Sequence, residues 1–310
     1  VAKFILRRLF HAVIVVFVIS LLIFFSIRLT GDPVAVMFAA GEPSQQAIDN
    51  LTAELGLDQP IWVQYGIFLR DLITFDLGTS FRTGQSVSSM VAATIGPTTL
   101  LAAAGMAVAI LIAFPVGIVS AVKRGTVLDF GGRMFSLIGI SFPNFWLGIM
   151  LILIFAVMLG WFPASGYGTP QHFVLPAITL GLILSGILSR LVRSSMLEVL
   201  NQQYIATAHS KGLRSWVVIF RHGLRNALIP TVTFMGVQFG GLLAGTVIIE
   251  QVFSWPGLGR MIIDAINARD YPVVQGGVIV LALITVAVNL LVDLSYSILN
   301  PRIKAGGSDS

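Results

Sequence analysis

Apolar residues in this chain run in long blocks, without the alternation of a strand or the narrow stripe of a surface helix. Six blocks approach or exceed the roughly 20 apolar residues that a membrane-crossing helix needs. They are Leu9–Leu29, Thr98–Val122, Phe135–Phe162, Phe173–Leu191, Leu228–Glu250 and Val273–Leu299. The pattern predicts an all-α integral membrane protein with six transmembrane helices. The third block is long enough to tilt or to finish in an interfacial turn. The fourth, after Pro176, is the shortest and the richest in Gly and Ser. The first block follows Lys3, Arg7 and Arg8. It exceeds the 7–15 apolar residues of a usual signal peptide, so it reads as a retained helix.

Two connections are long. Residues 30–97 carry helical patterning at Ile48, Leu51 and Leu55, with turn signals at Gly31-Asp32-Pro33 and Gly56-Leu57-Asp58-Gln59-Pro60. They read as an ordered external cap. Residues 192–227, approximately, form a second connection. The organisation expected is 1–29 for the N-terminal segment and first helix, 30–97 for the cap, and 98–304 for a membrane core containing that second loop. The small polar tail 305–310 is expected to be disordered.

Composition agrees with a membrane chain. Only 11% of residues are charged, 56% are hydrophobic and mean hydropathy is +0.90, against about 25% charged in soluble domains. The net charge is +5, and its distribution sets an orientation. Lys3, Arg7, Arg8, Lys123, Arg124, Arg133, Arg190, Arg193, Lys211, Arg214, Arg221, Arg225, Arg302 and Lys304 fall on one side of the six spans. Only Arg28, Arg70, Arg82, Arg260 and Arg269 fall on the other. The first side is cytoplasmic by the positive-inside rule, which places both termini in the cytoplasm. The basic balance therefore reflects membrane topology and lipid contact, not nucleic acid. Cysteine is absent, which excludes disulfides and thiolate metal sites.

Most catalytic signatures are missing. No G-x-x-x-x-G-K-[ST] loop occurs, so the chain carries no Walker A site for ATP. His11, His172, His209 and His222 are scattered, with no metal-binding spacing. A secondary transporter or channel would need coupling acids or a filter within the spans. The acid read as lying well inside a span is Asp293, taken as a structural partner for Asn289 or another polar group. A membrane enzyme would need a catalytic constellation. The chain reads as a transport subunit, not an enzyme, with no cofactor of its own.

The basic loop holds the informative pattern. Tyr204, Ala208 and Gly212 are four residues apart, on one face of a short helix. Gly212 suits a left-handed C-cap and Lys211 the last helical turn. Small residues on that face would let a cytosolic partner approach closely; a solvated amphipathic helix fits the same spacing. Polar residues inside the spans, Ser141, Asn144, Ser185, Ser189, Gln238 and Asn289, can line a path or bond helix to helix. Asn144, Gln238 and Ser141 are the path candidates. Gly236, Gly240, Gly241 and Gly245 space the fifth span for close helix packing.

The same loop resembles the cytoplasmic E-A-A-x-x-x-G loop of ABC importer permeases. Ala206, Thr207, Ala208 and Gly212 occupy its defining positions, with Ala206 in place of Glu and Thr207 in place of the first Ala. Ala206–Gly212 and His222–Pro230 resemble the dipeptide, oligopeptide and nickel branch. Further matches in order are Glu54–Pro60, Gln64-Tyr65, Asp76–Ser80, Ala121–Gly125, Phe253–Arg260, Arg269–Gly277 and Asn300–Ile303. The chain looks most like the first permease of dipeptide importers.

That resemblance implies a type I ABC importer permease fold in a bacterial inner membrane. It implies a second homologous permease, two cytosolic ATPases that use ATP and Mg, an external substrate-binding protein, and a peptide cargo. Nickel, glutathione or an opine-like solute is the alternative within the family. Tyr204, Ala206, Thr207, Ala208, Lys211, Gly212 and Leu213 would form the coupling helix. The fifth-span glycines would face the partner permease.

Overall fold

The computed structural model describes residues 2–30, 45–46, 52–53 and 56–299, with the side chains of 2–5, 29–30 and 293–299 excepted. Gly31-Asp32-Pro33, the helical patterning at Ile48, Leu51 and Leu55, the Asp293 side chain, the Asn300–Ile303 match and the 305–310 tail lie outside the described residues.

The described chain is helical. Its elements are α1 (Ala2–Thr30), α2 (Ile61–Ile73), α3 (Val87–Val122), α4 (Val127–Ser141), α5 (Asn144–Met158), α6 (Pro170–Leu200), α7 (Gln203–Ser210), α8 (Ser215–Val252), α9 (Leu258–Ala268) and α10 (Tyr271–Leu299). The last part of α5, Ile152–Met158, and the stretch Val218–Leu224 of α8 are π-helical. Among the described residues, five helices are long and apolar enough to cross a membrane: α1, α3, α6, α8 and α10.

The third expected span is not one helix. α4 and α5 meet at a 104° bend, and together they make a sixth span only as a broken one. Pro143 is the cause. It disfavours the helical region for the residue before it, and Phe142 sits at φ −97°, ψ 137°. Two other boundaries move for related reasons. α6 starts at Pro170, where a proline fits the first turn, so Pro176 lies inside it. α8 starts at Ser215, so Pro230 is interior to that helix and does not open it.

The chain divides into two compact units, Val1–Pro97 with Gly257–Leu290, and Thr98–Pro256 with Leu291–Ser310. The first therefore joins the expected cap to a late segment. Its core is built on Ile27, Val87, Val91, Leu258, Ile262 and Tyr271. α2 is tied to α1 by polar contacts: Tyr65 Oη lies 2.8 Å from Ser20 Oγ, and Arg28 donates to Gln64 Oε1 from Nε (2.9 Å) and Nη2 (2.7 Å). Gln64 Nε2 in turn donates to the carbonyls of Leu57 and Gln59.

A buried polar latch closes the same unit. Ser80 Oγ donates to Asp270 Oδ2 (2.5 Å), and the Phe81 N–H donates to Oδ1 (3.2 Å). Ser80 Oγ also accepts the N–H groups of Arg82 and Thr83. The turn it organises is held by the isolated Thr79–Ser86 bridge. Gly276 packs so closely there that a Cβ would lie 2.7 Å from Val87 Cγ1.

In the second unit α6 is the central helix. Of its apolar window 61% is buried, against 17–33% for the other spans. Backbones approach it through glycine. A Cβ on Gly181 would lie 2.5 Å from Val108 Cγ1 and 2.9 Å from the Gly105 carbonyl oxygen. A Cβ on Gly117 would lie 2.7 Å from Val192 Cβ and 2.8 Å from the Ser189 oxygen. Against α4, Gly186 faces Gly139, and Ser136 Oγ bonds Ser189 Oγ at 2.8 Å. Trp255, fully buried, packs edge-on against Tyr167 and Phe173.

Candidate functional site

The expected basic loop is mostly helix. α6 continues to Leu200, two residues turn the chain, α7 follows, and four residues later α8 begins. α7 is eight residues long, too short to be stable alone in water, so tertiary contacts must hold it. Ile205 and Ala208 provide them, buried against Val218 with Leu200 alongside. Tyr204 Oη accepts the Asn226 amide at 2.9 Å, which ties α7 to α8 eleven residues beyond its start.

The C-terminus of α7 is a complete Schellman motif. Gly212 takes φ +75°. Its N–H donates to the His209 carbonyl (2.9 Å) and the Leu213 N–H to the Ala208 carbonyl (3.4 Å).

The sequence places Tyr204, Ala208 and Gly212 together on a face offered to a partner. The structure divides them. Ala208 is only 7% exposed and faces the protein's own interior. The physical reason is that Ile205 and Ala208, three apart, make the apolar stripe by which α7 adheres to Val218. The outward residues are Tyr204, Ala206, Thr207, Lys211, Gly212 and Leu213. Trp216 and Phe220, not singled out by the sequence pattern, extend this surface with 63% and 54% exposure.

Below α7 along α6 lies a second polar centre. Asp129, in the first turn of α4, has a side chain 3% exposed. Arg193 of α6 holds it with two bonds, Nε to Oδ1 at 2.7 Å and Nη2 to Oδ2 at 3.0 Å. Ser120 Oγ, from the end of α3, donates to Oδ1 (2.7 Å), and the Gly125 N–H donates to Oδ2 (3.0 Å). Arg133 stands further off at 3.7 Å. The charge of Asp129 is thus matched and its oxygens hydrogen-bonded, as a buried carboxylate requires. Sequence reasoning passed over this residue. Its signal was a lone acid in a loop otherwise holding Lys123, Arg124 and Arg133.

Glu250 ends the fifth apolar block. It is fully buried and accepts the Thr98 hydroxyl at 2.7 Å. Ser141 and Asn144 flank the α4–α5 bend; the Ser141 hydroxyl donates to the Leu137 carbonyl of its own helix. Asn144 and Gln238 are half-buried. Gly236 packs inside the chain, because a Cβ there would meet Val292 Cγ1 at 2.4 Å. Gly240 is buried, whereas Gly241 and Gly245 face open space.

The first unit contains a cavity of about 300 Å³ lined by Arg28, Gln64, Asp71, Asp76 and Gln275 among others. Arg28 lies over the Phe24 ring, 3.5 Å from its centroid. Among the described residues, no group of three His, Cys, Asp or Glu could hold a metal ion.

Helices long and apolar enough to cross a membrane, a sharply bent helix pair and a short capped helix docked between two of the long ones are the parts of a multi-pass membrane subunit. Comparisons place it. Residues 113–305 match the family described as binding-protein-dependent transport system inner membrane component, and residues 1–102 match the N-terminal region of the same systems. The dipeptide transport system permease protein DppB of Alkalihalophilus pseudofirmus is 42% identical over 96% of this chain and 98% of its own length. The glutathione transport system permease protein GsiC of Salmonella choleraesuis is 40% identical over 97% of this chain and 99% of its own. Among solved structures, the MetNI methionine ABC transporter in an inward-facing conformation superposes with a TM-score of 0.55. It is 18% identical and covers 68% of this chain and 94% of that one. An amino acid ABC transporter with histidines gives a TM-score of 0.53 at 14% identity, covering 69% and 94%.

The chain belongs to the binding-protein-dependent ABC importer permeases and has their type I fold. It is a membrane transport subunit, and its family works with an ATPase and a substrate-binding protein.

Proposed function

We propose that this chain is one of two homologous permeases in an importer for di- or oligopeptides, driven by two cytosolic ATPases. Similarity to relatives named for dipeptide and for glutathione transport supports a peptide-like cargo. Glutathione is itself a peptide, so both names describe zwitterions with amide bonds. The Lys and Arg distribution supports cytoplasmic termini, with α7 on the cytoplasmic face. Residues 30–97 then form the external cap. The charged cavity of the first unit is where it meets the binding protein.

The observation that carries the reading is α7: a short helix, fixed on its inner side by Ile205 and Ala208 and capped by Gly212, with small Ala206 and Thr207 facing out. Such a knob fits a groove on an ATPase without a clash. ATP binding moves the ATPases, α7 follows, and the permeases rock between two packings. Ser141, Asn144 and Gln238 line the path. Gly241 and Gly245 face the second permease.

The test uses Ala206→Trp, which adds bulk on the outer face of α7 and leaves its buried side intact. In proteoliposomes with the binding protein and ATPases, labelled dipeptide uptake should fall while insertion and detergent stability stay at parental levels. Unchanged uptake would refute the docking role of α7, and uptake of glutathione in preference to dipeptide would reassign the cargo.

A further inference from the structure

Three helices of the second unit converge on one carboxylate. Asp129 takes bonds from α6 (Arg193), from the end of α3 (Ser120) and from the turn at Gly125, while itself belonging to α4. Around it the apolar contacts run between α3, α6 and α8, where Ile118, Ala121, Val192, Met196 and Ala227 form a buried cluster that includes no residue of α4. Such contacts are not directional, and they allow one helix to slide on another. A two-point Arg–carboxylate fork does not, because both bonds need one relative position and one orientation. A buried ion pair adds little net stability compared with an apolar pair of similar volume. Its distinctive contribution here is therefore register.

The position of the fork gives that register a use. Arg193 lies seven residues before the end of α6, which is about 10 Å along the axis at 1.5 Å per residue. Beyond Leu200 the chain turns through Asn201 and Gln202 straight into α7. On the other side of the fork, α4 runs from Asp129 to Ser141 and the 104° bend, with Asn144 opening α5. Ser189 bonds Ser136 along the same α4–α6 seam, four residues from Arg193 and seven from Asp129. Gly186 meets Gly139 one turn further on.

We propose that Asp129 and Arg193 are a positioning pair that locks α4 to α6, so that displacement of α7 is delivered to the α4–α5 bend beside Ser141 and Asn144. Neither residue touches cargo or nucleotide. They act by making α6 and α4 one rigid lever. This inference rests on the proposed seating of α7 on an ATPase.

The chain has no cysteine, so two spin labels can be placed without removing native thiols. Val127→Cys, at an 85% exposed site on α4, and Glu198→Cys, at an exposed site on α6, report the α4–α6 distance in the assembled importer. With the pair intact, pulsed dipolar spectroscopy should give one narrow distance, the same without nucleotide and in the ATP-bound state. In Arg193→Gln, Asp129 keeps Ser120 and Gly125 as donors, so the fold should survive. The distance should then broaden or become nucleotide-dependent, and cargo moved per ATP hydrolysed should fall. Asp129→Asn should do the same from the other side.

A narrow, nucleotide-independent distance with parental cargo per ATP in both folded variants would overturn the proposal. A broadened distance in Arg193→Gln, in a protein where Ala206→Trp leaves uptake intact, would support the α4–α6 lock and refute the seating of α7.

Discussion

Replacing Gly181 with alanine isolates the glycine seam between α3 and α6. The added Cβ would lie 2.5 Å from Val108 Cγ1, 2.6 Å from Val108 Cβ and 2.9 Å from the Gly105 carbonyl oxygen. Carbon atoms in contact prefer about 3.5–4.0 Å, so the shortfall is roughly 1 Å. Val108 is β-branched and stiff at χ1, and the carbonyl is backbone. Neither can yield without moving a helix. Overpacking of this kind costs about 1–3 kcal/mol. Alanine recovers about 1 kcal/mol of helix propensity over glycine. The net loss expected is up to about 2 kcal/mol, with the largest effect on the most buried span. Gly241→Ala is the matched control. A Cβ there meets nothing within 4 Å, so in the isolated chain it should be neutral or stabilising by up to about 1 kcal/mol. The assay is thermal unfolding of the purified permease in mild detergent, followed by tryptophan fluorescence and by size exclusion. Gly181→Ala should melt below the parent and Gly241→Ala at or above it. Equal midpoints for the two variants would refute the argument that glycine sets the α3–α6 separation.

Other expectations follow from the same geometry. Gly212→Val places a β-branched residue at φ +75°, a left-handed conformation that costs roughly 1–2 kcal/mol. It should unpick the α7 cap and lower dipeptide uptake at parental membrane insertion, read by transport and protease protection. Asp270→Ala removes the acceptor of the Ser80 hydroxyl and the Phe81 N–H. Bonds to charged groups are worth about 1.5–3 kcal/mol each. The variant should melt well below the parent and be cut sooner by trypsin at Arg82, whereas Ser80→Ala should fall between them.

The apolar blocks located the five long helices among the described residues because hydrophobic length is a one-dimensional signal. Gly212 was legible for a related reason: a helix end followed by glycine implies a left-handed residue from local sterics alone. The α4–α5 break was present as Pro143 within an apolar run, but block length outweighed a single imino acid. Asp129, Glu250 and the Ser80–Asp270 latch were not legible in their roles. Each depends on a partner at a distance in sequence that no spacing rule encodes; for Ser80 and Asp270 it is 190 residues. The inward turn of Ala208 was obscured likewise. Tyr204, Ala208 and Gly212 share a face by periodicity, but which face is buried depends on Val218, in the next helix. Gly236 shows the same limit, since its spacing marks close approach and only Val292 identifies the neighbour.

The Ser80–Asp270 latch also constrains how the protein is made. Its two halves leave the ribosome 190 residues apart, an interval of about 10–40 s at 5–20 residues per second. Throughout that time Ser80 has emerged and its acceptor has not. The first unit is therefore sealed only when Gly257–Leu290 arrives, and any chain that stops short of Asp270 exposes an unsealed turn to quality-control proteases.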